Sequence, residues 1–144
     1  MSDHIPPTIT STLPPTQPIH VVVVGAGGTG GRLIPALSQV LRRQDLVSIV
    51  DGDHVEDRNL VRQNFRQRDI GENKAEVMVR RYRRDPVQMR AFAAMLTTEN
   101  WKEIVLGDIP AYTLLAGCVD NWKTRQLLHT IMRKWLDHAL WIDA

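Results

Sequence analysis

The chain has 144 residues, 43% hydrophobic and 24% charged, which is enough for one domain with a real core and excludes a disordered protein. The formal net charge is only +2, but 14 of the 18 basic residues are arginine, a side chain suited to phosphates and other oxyanions. No apolar run approaches the roughly 18 residues of a membrane-spanning helix. The start, MSDHIPPTIT, lacks a secretory signal, and one cysteine, Cys118, makes neither an internal disulfide nor a structural zinc site. The reading is a cytoplasmic protein with no membrane partner and no zinc.

Residues 1–18 hold five of the eight prolines and little to bury, so they read as a flexible arm, with the domain proper over residues 19–144. From Ile19 onward, short β-branched runs alternate with longer amphipathic stretches, the pattern of βαβ units. Strands are predicted at Ile19 to Val24, Val47 to Val50, Val87 to Ala93, Tyr112 to Val119 and Ala139 to Asp143. Helices are predicted over Gly30 to Arg43, Lys74 to Arg84, Thr98 to Leu106 and Lys123 to Asp137. This is an α/β chain with a Rossmann-like, doubly wound, mostly parallel sheet in the order 3-2-1-4-5 and helices on both faces. Pro35 lies inside the first helix and either kinks it or moves its start later. Leu140, Trp141 and Ile142 read as a buried strand with no crossover after them, as in a truncated version of a longer protein.

The run Val21 to Val24 feeds into Gly25, Ala26, Gly27, Gly28, Thr29 and Gly30, a GxGxxG turn between a strand and a helix. Such a turn lets backbone N–H groups approach a phosphate at a helix N-terminus, and Gly25, Gly27, Gly28 and Gly30 are therefore candidate nucleotide contacts. Its rival is a glycine turn used only for close packing. Asp51 ends the second strand 21 residues after Gly30, placed to accept from ribose hydroxyls. These features do not separate NAD from ATP. The loop that follows carries Asp53, Asn59, Arg62 and Gln63, and Lys74 opens the next helix, a cluster that suits a triphosphate better than a dinucleotide. Asp120, after the fourth strand, has two readings: a Mg²⁺ ligand, or the N-cap of the following helix.

The segments GAGGTGG, DGDHVEDRNLVRQNF, DIGENKAEV and CVDNWKTR together resemble the ThiF/MoeB/HesA superfamily, the nucleotide domain shared with ubiquitin-activating enzymes, over about Ile19 to Ala144. Within it the chain also resembles a ThiF-like branch encoded on mobile elements as part of the PRTRC system. The resemblance implies an ATP-dependent adenylyltransferase that activates the C-terminal carboxylate of a ubiquitin-like or sulfur-carrier protein ending in Gly-Gly. It further implies that Gly25 to Gly30 lie under the nucleotide and Asp51 binds the ribose. Asn59, Arg62, Gln63 and Lys74 would contact the phosphates, and Asp120 would hold Mg²⁺; Arg62, Lys74 and Asp120 would carry catalysis. A homodimer is implied as well. Family members often lend an arginine from an N-terminal region to the partner's site, whereas this chain has no arginine before Arg32. The family's catalytic cysteine, zinc pairs and crossover segment lie beyond the last residue here. Two alternatives stand beside adenylation: an NAD-dependent oxidoreductase and a non-catalytic nucleotide-binding or scaffold protein.

The basic run Arg80, Arg81, Tyr82, Arg83, Arg84 reads as a solvated helix C-terminus rather than a nucleic-acid contact, because the aromatic content is 6% and offers few stacking platforms. The five histidines show no paired ligand spacing, and Cys118 reads as a buried structural thiol. The four tryptophans read as core or interface, with exposed ones marking a dimer surface.

Overall fold

Val21 and Val23 point to one side of a strand and Val22 and Val24 to the other, and all four are at most 2% exposed, so this strand is covered on both faces. In the computed structural model, which describes residues 17–107, 112–135 and 139–143, that strand is β1 (Ile19–Val24). It stands at the centre of a five-stranded sheet with β2 (Leu46–Val50), β3 (Gln88–Phe92), β4 (Tyr112–Gly117) and β5 (Ala139–Asp143). The order is β3-β2-β1-β4-β5 and every pairing is parallel, as the alternation of strands and helices predicts. The proline-rich arm falls at residues 1–16, outside the described residues.

Among the described residues three α-helices cover the sheet: α1 (Gly28–Val40), α2 (Lys74–Tyr82) and α3 (Trp122–Trp135). Ile34 of α1 and Ala75, Val77 and Met78 of α2 pack with Val21, Val23, Val47 and Ile49 on one face. Leu128 and Ile131 of α3 pack with Val22, Val24, Val50 and Leu115 on the other. Each of these Val, Leu, Ile and Met side chains, once buried, contributes about 1.5–3 kcal/mol of transfer free energy. The stretch expected to be a helix near Thr98 to Leu106 is instead a π-helical turn, Lys102–Leu106, which drives Trp101, Ile104 and Val105 into the second cluster.

Pro35 neither delays α1 nor ends it; the helix begins two residues earlier than its sequence pattern suggests, inside the glycine turn. The missing Pro35 N–H leaves the Gly31 carbonyl free, and Asn64 Nδ2 donates to that oxygen at 3.4 Å. Asn64 also bonds Tyr82 of α2. The same loop is held from behind by Arg81, which donates to the Asn64 carbonyl and to the buried Asp69 carboxylate, while Arg80 pairs with Glu72. Burial pushes the Asp69 carboxyl up, but the Arg66 amide and Arg81 together hold it below its usual range. Arg80 and Arg81 are thus loop fasteners rather than a free basic patch. A second buried acid, Asp45, takes both Arg42 and the Ile19 amide, at 2.9 Å, tying the turn after α1 to the first residue of β1.

Candidate functional site

Parallel strands end on one edge, and the loops leaving β1, β2 and β4 there enclose a cleft of about 450 Å³. Its floor is the glycine turn. Gly25 adopts φ +100°, and a Cβ there would lie 2.5 Å from the Cys118 carbonyl oxygen, so β1 and β4 meet too closely for a side chain. A Cβ on Gly30 would lie 1.8 Å from the Gly25 oxygen, which makes Gly30 a packing glycine that lets α1 start against the strand end. Gly28 faces open space and Gly27 lies beside the Gln63 amide, and both line the cleft together with Gly25.

Asp51 closes the turn from the β2 side. Its Oδ2 accepts from the Ala26 amide at 2.7 Å and its Oδ1 from the Asp53 amide at 2.8 Å. Lys74, the first residue of α2, has a side chain only 9% exposed, and its Nζ stands 3.6 Å from the exposed Asp53 carboxylate. Asn73, which sequence reasoning passed over, holds this corner: its amide donates to the Asp51 and Asp53 carbonyls and its oxygen caps α2 through the Glu76 amide. The Asn-x-x-Glu spacing before an amphipathic run was the available signal.

Asp53, Gln63, Lys74 and Asp120 all line the cleft with Asp51 and the glycine turn. Asn59 and Arg62 do not. Asp57–Asn59 winds a 3₁₀ turn in which the Asn59 side chain accepts from the Glu56 amide at 2.8 Å and is buried, while Val61 and Arg62 face outward. The Gln63 oxygen is buried without a hydrogen-bond partner among the described residues, an acceptor left for a ligand or its water. On the β4 side the cap of α3 is Asn121, which accepts from the Thr124 amide at 2.9 Å, so Asp120 is not the N-cap and its exposed carboxylate faces the cleft uncommitted. Thr124 and Arg125 continue that wall, and Ala94, Met95 and Leu96 after β3 add an apolar flank that no sequence pattern marked.

Cys118 is half-buried: it packs against the core cluster around β1 and also lines the cleft. Burial, followed by the nearby Asp143 charge, pushes its thiol up, the opposite of what a nucleophilic cysteine needs. Among the described residues no three His, Cys, Asp or Glu side chains gather to hold a metal, and no helix is long and apolar enough to cross a membrane.

The ThiF family model matches residues 16–135, covering the glycine turn, the loop after β2 and the Asp120 wall. The chain belongs to the ThiF family. Comparison with curated protein sequences finds no match. Among solved structures, the chain is similar to E. coli tRNA N6-threonylcarbamoyladenosine dehydratase, TcdA, in complex with ATP, with a TM-score of 0.72 and 21% identity over 89% of this chain and 50% of that one. It is also similar to E. coli MccB with ATP, with a TM-score of 0.62 and 25% identity over 87% of this chain and 36% of that one. PaaA matches at a TM-score of 0.59 and 26% identity over 78% of this chain and 34% of that one. The chain spans about half the length of TcdA and about a third of MccB and PaaA.

Proposed function

We propose that this ThiF-family chain binds ATP in the cleft and adenylates a carboxylate. The observation that carries the reading is that Lys74, from the β2 side, and Asp120, from the β4 side, line one cleft with the glycine turn, in a chain of this family. The geometry suits a nucleotide. Gly28 leaves an open cradle at the N-terminus of α1, the Gln63 oxygen awaits a donor, and Asp51, already braced by two amides, can still accept from a ribose hydroxyl. Gly25 and Gly30 shape the cradle, and Gly27, Gly28, Asp53, Gln63 and Lys74 surround it. Arg62 has no ion-pair partner among the described residues; together with Asn59, its part in phosphate binding rests on the family resemblance. TcdA and MccB have been solved with ATP, and TcdA with AMP, which supports the same ligand here.

In the reaction a carboxylate oxygen forms a bond to the α-phosphorus, the bond to the bridging oxygen breaks, and its electron pair leaves with pyrophosphate. Attack of one anion on another needs positive charge and positioning more than a side-chain nucleophile. Lys74, held at the head of α2, supplies the fixed charge. Asp120 would hold Mg²⁺, which takes one or two carboxylates and completes its shell with phosphate oxygens. Bound there, the cation would neutralise phosphate charge. For the acyl substrate we assign a polypeptide C-terminus, a ubiquitin-like or sulfur-carrier protein ending in Gly-Gly. MccB solved with AMPCPP and MccA offers a parallel in which the partner is a second polypeptide. Trp122, 70% exposed at the start of α3, is the side chain we assign to the surface of a homodimer.

Equilibrium titration of ATP with Mg²⁺ beside NAD⁺ tests this reading. Micromolar ATP binding with none for NAD⁺ is the expected result. Binding of NAD⁺ alone would replace adenylation with the oxidoreductase reading, and binding of neither would leave a scaffold.

A further inference from the structure

Two cationic side chains border the cleft among the described residues, and they stand on opposite walls. Lys74 belongs to the β2 side. Arg125 belongs to the β4 side, in the first turn of α3, where its amide bonds the Asn121 carbonyl at 3.3 Å. Its Nε donates at 3.1 Å to Oδ1 of Asp143, the last residue of β5, and both side chains are 35% exposed. This leaves the outer edge of the guanidinium, its two Nη groups, without a protein partner among the described residues. Asp143 is paired in register with Gly117, so the arginine is oriented from the sheet as well as from its own helix.

The nucleotide half of the cleft is furnished without Arg125, by the glycine turn, Asp51, Gln63, Lys74 and Asp120. A carboxylate entering beside the phosphates meets a strongly negative field and needs a cation of its own. The free Nη edge presents two parallel donors that match the two oxygens of a carboxylate. Asp143 partly neutralises the guanidinium, which suits a single negative charge and weakens any hold on the more highly charged pyrophosphate. We infer that the outer edge of Arg125, oriented by Asp143, holds the carboxylate of the acyl substrate before it attacks. The inference rests on the adenylation reading and names the side chain that receives its second substrate.

The test is titration of N-acetyl-glycyl-glycine, a minimal peptide carboxylate, into the protein saturated with Mg·AMPCPP, followed by NMR. Arg125→Gln is expected to weaken dipeptide binding about tenfold, the loss of one bidentate charged pair, with AMPCPP affinity unchanged. Arg125→Lys keeps the charge without the fork and is expected to fall between the two. Asp143→Asn is expected to tighten the dipeptide, because it releases the full arginine charge. An Arg125–Asp143 bridge that serves only to fasten β5 would make the glutamine and asparagine variants behave alike, and that result overturns the inference. So does a wild type that binds no dipeptide, or an Arg125→Gln protein that loses AMPCPP instead. If the wild type binds no AMPCPP, the adenylation reading fails, and the same titrations without nucleotide decide Arg125 separately.

Discussion

The Asp51 carboxylate accepts the Ala26 amide at 2.7 Å, joining the end of β2 to the glycine turn that follows β1. Its other oxygen takes the Asp53 amide, so one side chain sets the shape of two loops. Replacing it with alanine strands two amides, one in the turn itself. Asp51→Ala is expected to lower stability by about 1–3 kcal/mol, read by urea unfolding, and to weaken ATP binding at least about tenfold through the displaced turn and the lost ribose acceptor.

Lys74 and Arg62 are separated by their placement. The lysine is nearly buried and lines the cleft, whereas the arginine faces out from the loop. Calorimetric titration of ATP should show Lys74→Ala losing affinity about tenfold or more, with a smaller loss for Arg62→Ala. An Arg62 effect as large as that of Lys74 would mean that the loop turns inward when ATP binds.

Asp120 and its neighbour divide metal binding and helix capping between them. Asn121→Ala removes the cap on Thr124 and is expected to cost about 1 kcal/mol of stability while leaving Mg²⁺ dependence of ATP binding intact. Asp120→Ala is expected to do the reverse, with unfolding unchanged and magnesium dependence flattened. Unaltered magnesium dependence in Asp120→Ala would remove its proposed role.

His20 makes stability depend on pH. Burial pushes its imidazole down to about 4, partly opposed by a backbone hydrogen bond to Val105 and reinforced by the Arg90 charge; Ser48 Oγ lies 2.7 Å from its Nε2. Above its ordinary value of 6.5 the ring is neutral in both folded and unfolded chains. As pH falls from there toward 4, the unfolded chain gains a proton that the folded one refuses, so about 3 kcal/mol of stability is lost across that window. Urea titrations stepped through it should show a flatter response in His20→Gln.

The central strands β1 and β2 were legible because their β-branched runs, such as Val21 to Val24, are buried on both faces and need no partner-specific detail to be recognised. Helix ends were less so: three of the first four residues of α1 are glycines, which carry no amphipathic signal. In the cleft, residues at strand ends or helix starts, such as Asp51 and Lys74, could be located from chain order alone. Asn59 and Arg62 could not, because a 3₁₀ turn decides which side chains of that loop face inward. The pairing of Arg125 with Asp143 depends on β5 lying beside β4, a contact that spacing along the chain does not announce.

Pro35 creates a competition between a helix and a loop nearly thirty residues downstream. An ordinary residue there would restore the bond to Gly31 and stiffen α1, but it would also withdraw the carbonyl that Asn64 uses. Pro35→Ala is therefore a substitution whose gain in helix strength is offset by a looser tether on the segment carrying Gln63. Hydrogen exchange would register the two halves of that trade separately, slower in α1 and faster in the loop. The irregular residue in the helix thus works as a fixed attachment point, keeping one wall of the cleft in place before any ligand arrives.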